Sequence, residues 1–554
     1  MTYIQRGKST VKCYFADMIK DRLSKKGSFM SEKIGSSGRI AKAAGFIMAS
    51  MVISRILGYI RDVVIYTRFG QNFQTDAYNA AFSIPDFLYY LLVGGALSSA
   101  FIPVFSSYIA KNEEEEGWKV AATFFNLVLL MMGIGIGLGL IFTPSLINLL
   151  VPGFSAEAKE LTVLLTRVMF IQSLFMAING ISQGILHSYK HFFSPALGSV
   201  LYNTAIIVAG WILSIKLGIL GFSIGVVFGA LLNFSVQIPA LVKIGIKYKP
   251  LVDLNHPGVK KIMILLLPVL IGLSVNHFNH FVDQYLASTL SEGLVSALRA
   301  GQRLMQLPVG IFAISVALAF FPTLTEHAAR DEKKEFRDTL SRGIRTVLFL
   351  TFPSAIGLII LREPLVRAMY EQGAFSTANT QATAYALLFY CLGLVAYSEQ
   401  QILNRAFYSL QDTKTPVIMG IIGIGTNIVF NLLLIEPMGH GGLALASSIA
   451  GIVNMSLLLY YLKKKVGLID GRNIFRSLAK IVAASLIMGI VVFLTAYFIE
   501  VRFDLTVKLW QILQVAISTI LGGVVYLGLS KGLKLEEARL VGAIFTRKIR
   551  KRKT

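Results

Sequence analysis

The chain has 554 residues, 55% of them hydrophobic and only 15% charged, with a mean hydropathy of +0.65 and a formal net charge of +23. A soluble domain carries about 25% charged residues, so this composition excludes an ordinary soluble enzyme and points to apolar residues facing lipid. In a soluble protein the positive excess would suggest nucleic acid; here no nucleic-acid partner is expected, because Lys and Arg in short loops hold those loops in the cytoplasm.

Residues 1–39 form a basic leader with no long apolar core, which is not a signal peptide. Tyr14, Phe15, Met18, Ile19 and Leu23 are spaced to form one face of an interfacial helix, and Met30 is an alternative start. Blocks of about 20 or more apolar residues then follow, each long enough to cross about 30 Å of hydrocarbon as a helix. The expected fold is an all-α integral membrane protein of about fourteen spans. They lie near 40–67, 75–108, 119–144, 158–189, 193–216, 219–246, 257–289, 294–327, 335–361, 378–411, 415–436, 441–463, 473–499 and 507–530. A basic tail, 531–554, closes the chain. Loops on one side, such as 243–261, 330–345 and 463–476, are rich in Lys and Arg, whereas 217–221, 290–293 and 437–442 carry almost none. Both termini are therefore expected in the cytoplasm. Glu113 to Glu116 read as an acidic run in a solvated cytoplasmic loop.

An internal repeat is visible at an offset of 221 residues. Phe154-Ser155 matches Phe375-Ser376, Ser188 matches Ser409, Pro195 matches Pro416, Gly218 and Gly221 match Gly439 and Gly442, and Asn233 matches Asn454. Ala100-Phe101-Ile102-Pro103 resembles Ala319-Phe320-Phe321-Pro322 at nearly the same offset. Six spans separate the copies, so they share one orientation. The expected organisation is an N-lobe (40–246), a C-lobe (257–463) and two added spans (473–530). Parallel repeats about an axis along the membrane normal are a transporter architecture with substrate held between lobes.

Charges inside spans carry the functional reading, because each is costly in hydrocarbon. The first span contains Ser54-Arg55-Ile56-Leu57-Gly58-Tyr59-Ile60-Arg61-Asp62; the eighth carries Arg299 and Arg303 one turn apart; Asp76 opens the second. Arg55, Arg61, Arg299 and Arg303, with Asp62 and Asp76, read as a basic cavity for an anion, since the guanidinium fork matches phosphate. The alternative is that these arginines snorkel to headgroups or pair internally with Asp62 or Asp76. A second polar cluster combines Asp283, Asn427, Asn431 and Ser447, which could hold Na⁺ or a proton; the alternative is polar glue between helices. His277 and His280 read as packing residues, and Glu399 receives no role beyond a possible pairing with Arg405. Cys13 and Cys391 lie far apart, so neither a disulfide framework nor a metal site is expected. No HExxH, paired CxxC or Walker loop is present, and no enzyme activity or cofactor is expected.

SRILGYIRD at 54–62, TDAY at 75–78, RLMQLPVGIFAIS at 303–315, YEQGAFS at 370–376 and SLQDTKTP at 409–416 together resemble the MurJ (MviN) lipid II flippases of the multidrug/oligosaccharidyl-lipid/polysaccharide exporter superfamily. The resemblance covers about residues 40 to 530. It implies two six-helix lobes around a V-shaped cavity, two extra helices forming a groove for a lipid tail, and alternating-access movement of the undecaprenyl-pyrophosphate-linked peptidoglycan precursor across the bacterial inner membrane. Lipid II and membrane lipids would be its partners, with other cell-wall synthesis proteins as further candidates. The family's cavity arginines match Arg55, Arg61 and Arg303, and its acidic residue near the second span matches Asp76. The chain departs from the family where many members carry Arg in the second span. Here it has Tyr89 and Tyr90, and a Glu-Gly pair reads Gly94-Gly95. Competing readings are an exporter of another polyprenyl-linked saccharide, an ion-coupled drug exporter of the same superfamily, and a non-transporting membrane scaffold.

Overall fold

In lipid a backbone N–H has no water to turn to, so long apolar runs wind into helices that satisfy it internally. The computed structural model describes residues 49–94 and 97–539, and these contain helices and connecting turns but no strand. The helices are numbered here in chain order. α1 covers residues 49–69. α2 is Phe73–Ala110, α3 Glu114–Leu150, α4 Ala156–Ser188, α5 Phe193–Leu217 and α6 Leu220–Lys243. α7 is Pro257–Ser288, α8 Leu294–Ala329, α9 Lys333–Ile360, α10 Thr377–Ser409, α11 Lys414–Met438 and α12 His440–Val466. α13 is Gly471–Arg502 and α14 Lys508–Gly532; the short helix Arg362–Tyr370 joins α9 to α10. Among the described residues, twelve helices are long and apolar enough to cross a membrane. α1 and α7 are not among those twelve; they lie where the first and seventh spans are expected. The basic leader, including Cys13, lies outside the described residues, as does the tail beyond 539.

The repeat reappears as local structure. Ser155 and Ser376 each cap the helix that follows, accepting from the backbone N–H of Ala158 and Asn379. Gly218 and Gly439 both end their helices with φ of 57°, a conformation that favours glycine. A π-helical turn interrupts α2 at Tyr90–Gly94 and α8 at Val309–Ala313, at matching places in the two lobes. Such turns leave backbone groups out of the regular ladder and recur at functional positions.

Apolar side chains on the outer faces remain exposed, for example Leu130, Ile134, Leu138 and Ile141 on α3 and Phe493, Tyr497 and Ile520 on α13 and α14. That is the pattern of helices whose outer faces meet lipid. α13 packs on α14 and against α9 of the C-lobe. Tyr526 of α14 donates to the Phe349 carbonyl at 2.8 Å, and Arg345 pairs with Glu537, just beyond α14, at 3.0 Å. The acidic run is not a loop: Glu114, Glu115 and Glu116 form the first turn of α3, where negative charge favours the helix dipole. Glu116 also reaches Lys119 at 2.7 Å and His256 at 3.0 Å.

Candidate functional site: a basic set between two lobes

α1 and α8 bring the expected arginines together. Asp62 is buried and shared: Arg61 reaches it at 3.0 Å from the same helix, and Arg303 at 2.7 Å from α8. Arg61 also donates to the Asn203 side chain of α5 at 3.4 Å. Tyr59 fixes the α8 side, donating to the Arg303 carbonyl at 3.1 Å while its ring lies 5.6 Å from the Arg303 guanidinium. Gly58 leaves room for this approach, since a Cβ there would stand 3.2 Å from Arg303 Nη2. Two arginines on one carboxylate leave a net positive charge.

Arg55 and Arg299 differ from that pair. Both are exposed, and neither has an ion pair among the described residues. The Arg55 guanidinium lies against Gly310, inside the π-helical turn of α8. Arg299 is within electrostatic range of Asp62, Arg303 and Asp86. Asp86 of α2 was not singled out from the sequence. It follows Pro85, ten residues beyond Asp76 and within the span, and a carboxylate at that depth is the signal the sequence offers. Asn203 and Tyr59 were also missed, and nothing in one-dimensional spacing marks a partner 142 or 244 residues away.

Asp76 is placed elsewhere than the cavity. It is 2% exposed, and its oxygens accept from Gly293 N (2.6 Å), Ser296 N (2.8 Å) and Ser296 Oγ (2.6 Å). A carboxylate of α2 thus caps the N-terminus of α8 across the lobe boundary, satisfying otherwise orphaned N–H groups. It is grouped with other cross-lobe bonds at this end: Ala374 N to Thr67 O (2.7 Å), Gln71 to Thr383 (2.8 Å), Asn79 to Ser296 (3.0 Å) and Ser155 to Glu292 (3.2 Å).

The second cluster is assembled as expected. Asp283 of α7 accepts from Asn431 at 2.7 Å and from Asn279 at 3.3 Å; Asn431 also meets Asn427 at 3.0 Å, and Asn427 meets Ser447 at 3.3 Å. In the amide orientation that satisfies both its atoms, Asn427 donates to Asp283 Oδ1 at 3.0 Å and to Asn279 Oδ1 at 3.1 Å and accepts from Ser447 N at 3.2 Å. Asn431 Oδ1 is buried without a hydrogen-bond partner. His277 packs against Tyr90 and Phe87 of α2, with centroids 4.9 and 5.6 Å away. Tyr89, which stands where the resemblance leads one to expect Arg, immediately precedes the first π-helical turn, and Tyr90 opens it.

The sequence model of the family described as "Lipid II flippase MurJ" matches residues 65–524. The chain belongs to the MurJ family. A probable lipid II flippase MurJ of Vibrio cholerae is 34% identical over 433 residues, covering 76% of this chain and 82% of that protein. A Haemophilus influenzae protein of the same description is 33% identical, covering 79% and 89%. A solved structure titled "Lipid II flippase MurJ, inward closed conformation" is 31% identical, with a TM-score of 0.75 over 91% of this chain and 99% of that one. An inward-facing multidrug resistance transporter of the MATE family shares the fold at 16% identity and a TM-score of 0.63. A MurJ-family chain of this helix content is a multi-pass membrane transporter, not an enzyme.

Proposed function

We propose that this chain moves lipid II from the inner to the outer leaflet of the bacterial cytoplasmic membrane by alternating access. The observation that carries the reading is the pair Arg55 and Arg299, exposed between the lobes with no ion pair among the described residues, beside an Arg61–Asp62–Arg303 group that is itself net positive. A diphosphate in hydrocarbon needs compensating charge, and guanidinium groups from both lobes supply it with bidentate geometry. The anion stays near the midplane while the lobes rock about it. Both termini face the cytoplasm in this reading, and the cross-lobe bonds around Asp76 close the outer end. Membrane lipids surround the α13–α14 face, and cell-wall synthesis proteins receive the flipped precursor.

The Asp283 cluster suits a coupling cation. It offers oxygens from Asp283, Asn427, Asn431 and Ser447, and one of them, Asn431 Oδ1, lacks any other partner. A Na⁺ would supply positive charge to a carboxylate that only neutral amides contact; a proton on Asp283 is the simpler occupant.

The test is lipid II translocation by the full chain in vesicles, with Arg55, Arg61 and Arg303 all changed to Ala. Translocation is expected to fall to background in a variant that reaches the membrane at normal level. Intact translocation would overturn the basic-cavity mechanism.

A further inference from the structure

Glu399 lies in the C-terminal half of α10, and α10 packs against α8, α9, α12, the short helix Arg362–Tyr370 and, at a few positions, α11. It is 3% exposed, and both carboxyl oxygens are sealed from solvent with no hydrogen-bond partner among the described residues. No other described Asp or Glu has both oxygens in that state. Arg405, the partner that the sequence offers, points instead at the Phe321 ring, 5.3 Å from its centroid. The short helix carries Arg362, Glu363, Arg367 and Tyr370 just ahead of the N-terminal end of α10, where the arginines pair with Glu363, Glu371 and Glu500, and α11 has no titratable side chain between Lys414 and Glu436. Between Arg303 and Glu326 on α8, between Arg345 and Arg362 on α9, and between His440 and Lys463 on α12, the only titratable side chains are Tyr460 and Tyr461. On α10 itself the nearest in sequence are Tyr397, Arg405, Cys391, Tyr390 and Tyr408, and Tyr397 is occupied with the Ser447 carbonyl at 2.9 Å.

An ionised carboxylate in such a place would cost several kcal/mol with nothing to offset it. A glutamic acid with its proton on is far cheaper, and it can donate to a backbone carbonyl. The π-helical turn Val309–Ala313 of α8 packs against α10, and its other side receives the Arg55 guanidinium at Gly310. Pro308, immediately before that turn, has no N–H to give, so the local ladder is already broken. The turn therefore touches both Arg55 and the helix that holds Glu399.

We propose that Glu399 is a proton-binding site of the transport cycle. Its carboxyl holds a proton while α8, α9 and α12 enclose it, and gives that proton to water in a conformation in which the π-helical turn shifts and solvent reaches α10. The enclosed conformation then carries one proton more than the solvated one. An exposed glutamate titrates near about 4.3. At neutral pH each unit of rise therefore moves the balance toward the solvated conformation by up to about tenfold. The ligand is the proton itself, so the inference stands whatever lipid the cavity accepts.

Two measurements on the full chain in lipid bilayers test it. With glutamate carboxyls alone carrying ¹³C, infrared spectra at pH 6, where the enclosed conformation is favoured and exposed glutamates are ionised, should show one protonated carboxyl band. Glu399→Asp, which keeps the acid but loses the label, should remove it. No such band in the unsubstituted chain overturns the proposal, even if every variant fails to fold. Spin labels at Lys216→Cys and Glu436→Cys, in a Cys13→Ser background, report the separation of the lobes. Their distance populations should shift between pH 6 and pH 8, and Glu399→Gln, which imitates the neutral acid, should make them independent of pH. A Glu399→Gln chain that responds to pH as the parent does overturns the proposal.

Discussion

Asp62 and Asp283 stand 221 residues apart, the spacing of the repeat, each in the first helix of its own lobe. The scaffold offers the same carboxylate twice, and the neighbours decide what it becomes. Asp62 has Arg61 and Arg303 at 3.0 and 2.7 Å. Asp283 has only amide groups, from Asn431 at 2.7 Å and Asn279 at 3.3 Å. The first site carries a surplus of positive charge and suits an anion. The second carries a surplus of negative charge and suits a cation or a proton. Equivalent positions of the repeat thus sit in opposite electrostatic surroundings, so the lobes are alike in backbone and differ in chemistry.

The comparison makes its largest claim about stability. Asp62→Asn leaves two guanidinium groups beside a neutral amide, and breaking a buried ion pair from one side costs about 3 kcal/mol. The variant should melt well below the parent in detergent. Asp283→Asn swaps one neutral-amide neighbourhood for another and should barely move the midpoint. Equal losses in the two variants would mean that Asp62 is no structural counter-charge. Next in size is Arg299→Ala. Arg299 has no ion pair to lose, so the melting midpoint should stay put. Translocation should fall by about 10- to 100-fold, as expected for a charge-assisted contact to substrate. A large drop in melting temperature with Arg299→Ala would mean that this arginine holds the fold.

How much of this was legible beforehand differs between the two sites. Spans, repeat and the grouping of Arg55, Arg61, Asp62, Arg299 and Arg303 follow from hydropathy, fixed offsets and the cost of charge in lipid. So does the Asp283 cluster, because Asn427 and Asn431 stand one turn apart and share a helix face. Asp76 was misread as a cavity residue. A carboxylate at the start of a span fits either a ligand or a cap, and only the fold shows that Gly293 and Ser296 lie beneath it. A run of four glutamates at 113–116 suggests a solvated loop, but charge alone does not separate a loop from a helix start, and the residues after Glu113 open a helix. The π-helical turns left no sequence signal beyond Pro308, since a π bulge depends on packing as much as on residue type.

A smaller effect sharpens the cation half of the comparison. If the Asp283 cluster holds Na⁺, Asp283→Asn should abolish any Na⁺ stimulation of translocation while leaving basal movement measurable. Replacing Na⁺ by K⁺ should then slow the parent severalfold and leave the variant unchanged. A parent indifferent to Na⁺ at every pH would return the cluster to interhelical polar contact, worth about 0.6 kcal/mol per bond.

The smallest effect lies outside the membrane, at the loops before α5 and α11, where the repeat pairs His191 with Asp412. Asp412 accepts from Thr415 N (3.0 Å), Thr415 Oγ1 (2.8 Å) and Lys465 Nζ (2.7 Å). Partial burial pushes the Asp412 carboxyl up, but the bonds from Lys465 and Thr415 outweigh it and hold the group at about 2. His191 has no such bridge, and its Nδ1 is buried without a partner. A carboxyl held below its unfolded value contributes stability that is fully present above about pH 4 and is lost as pH falls toward 2. Because Lys465 is half in solvent, screening reduces the contribution to about 1 kcal/mol. Asp412→Asn should therefore melt slightly below the parent at pH 7, and the gap should close between about pH 4 and pH 2. His191→Asn, which breaks no ion pair, should show no gap that closes over that window. A gap for Asp412→Asn that persists at pH 2 would assign its cost to lost packing at the head of α11 rather than to the carboxylate, and this difference between the lobes would then be steric.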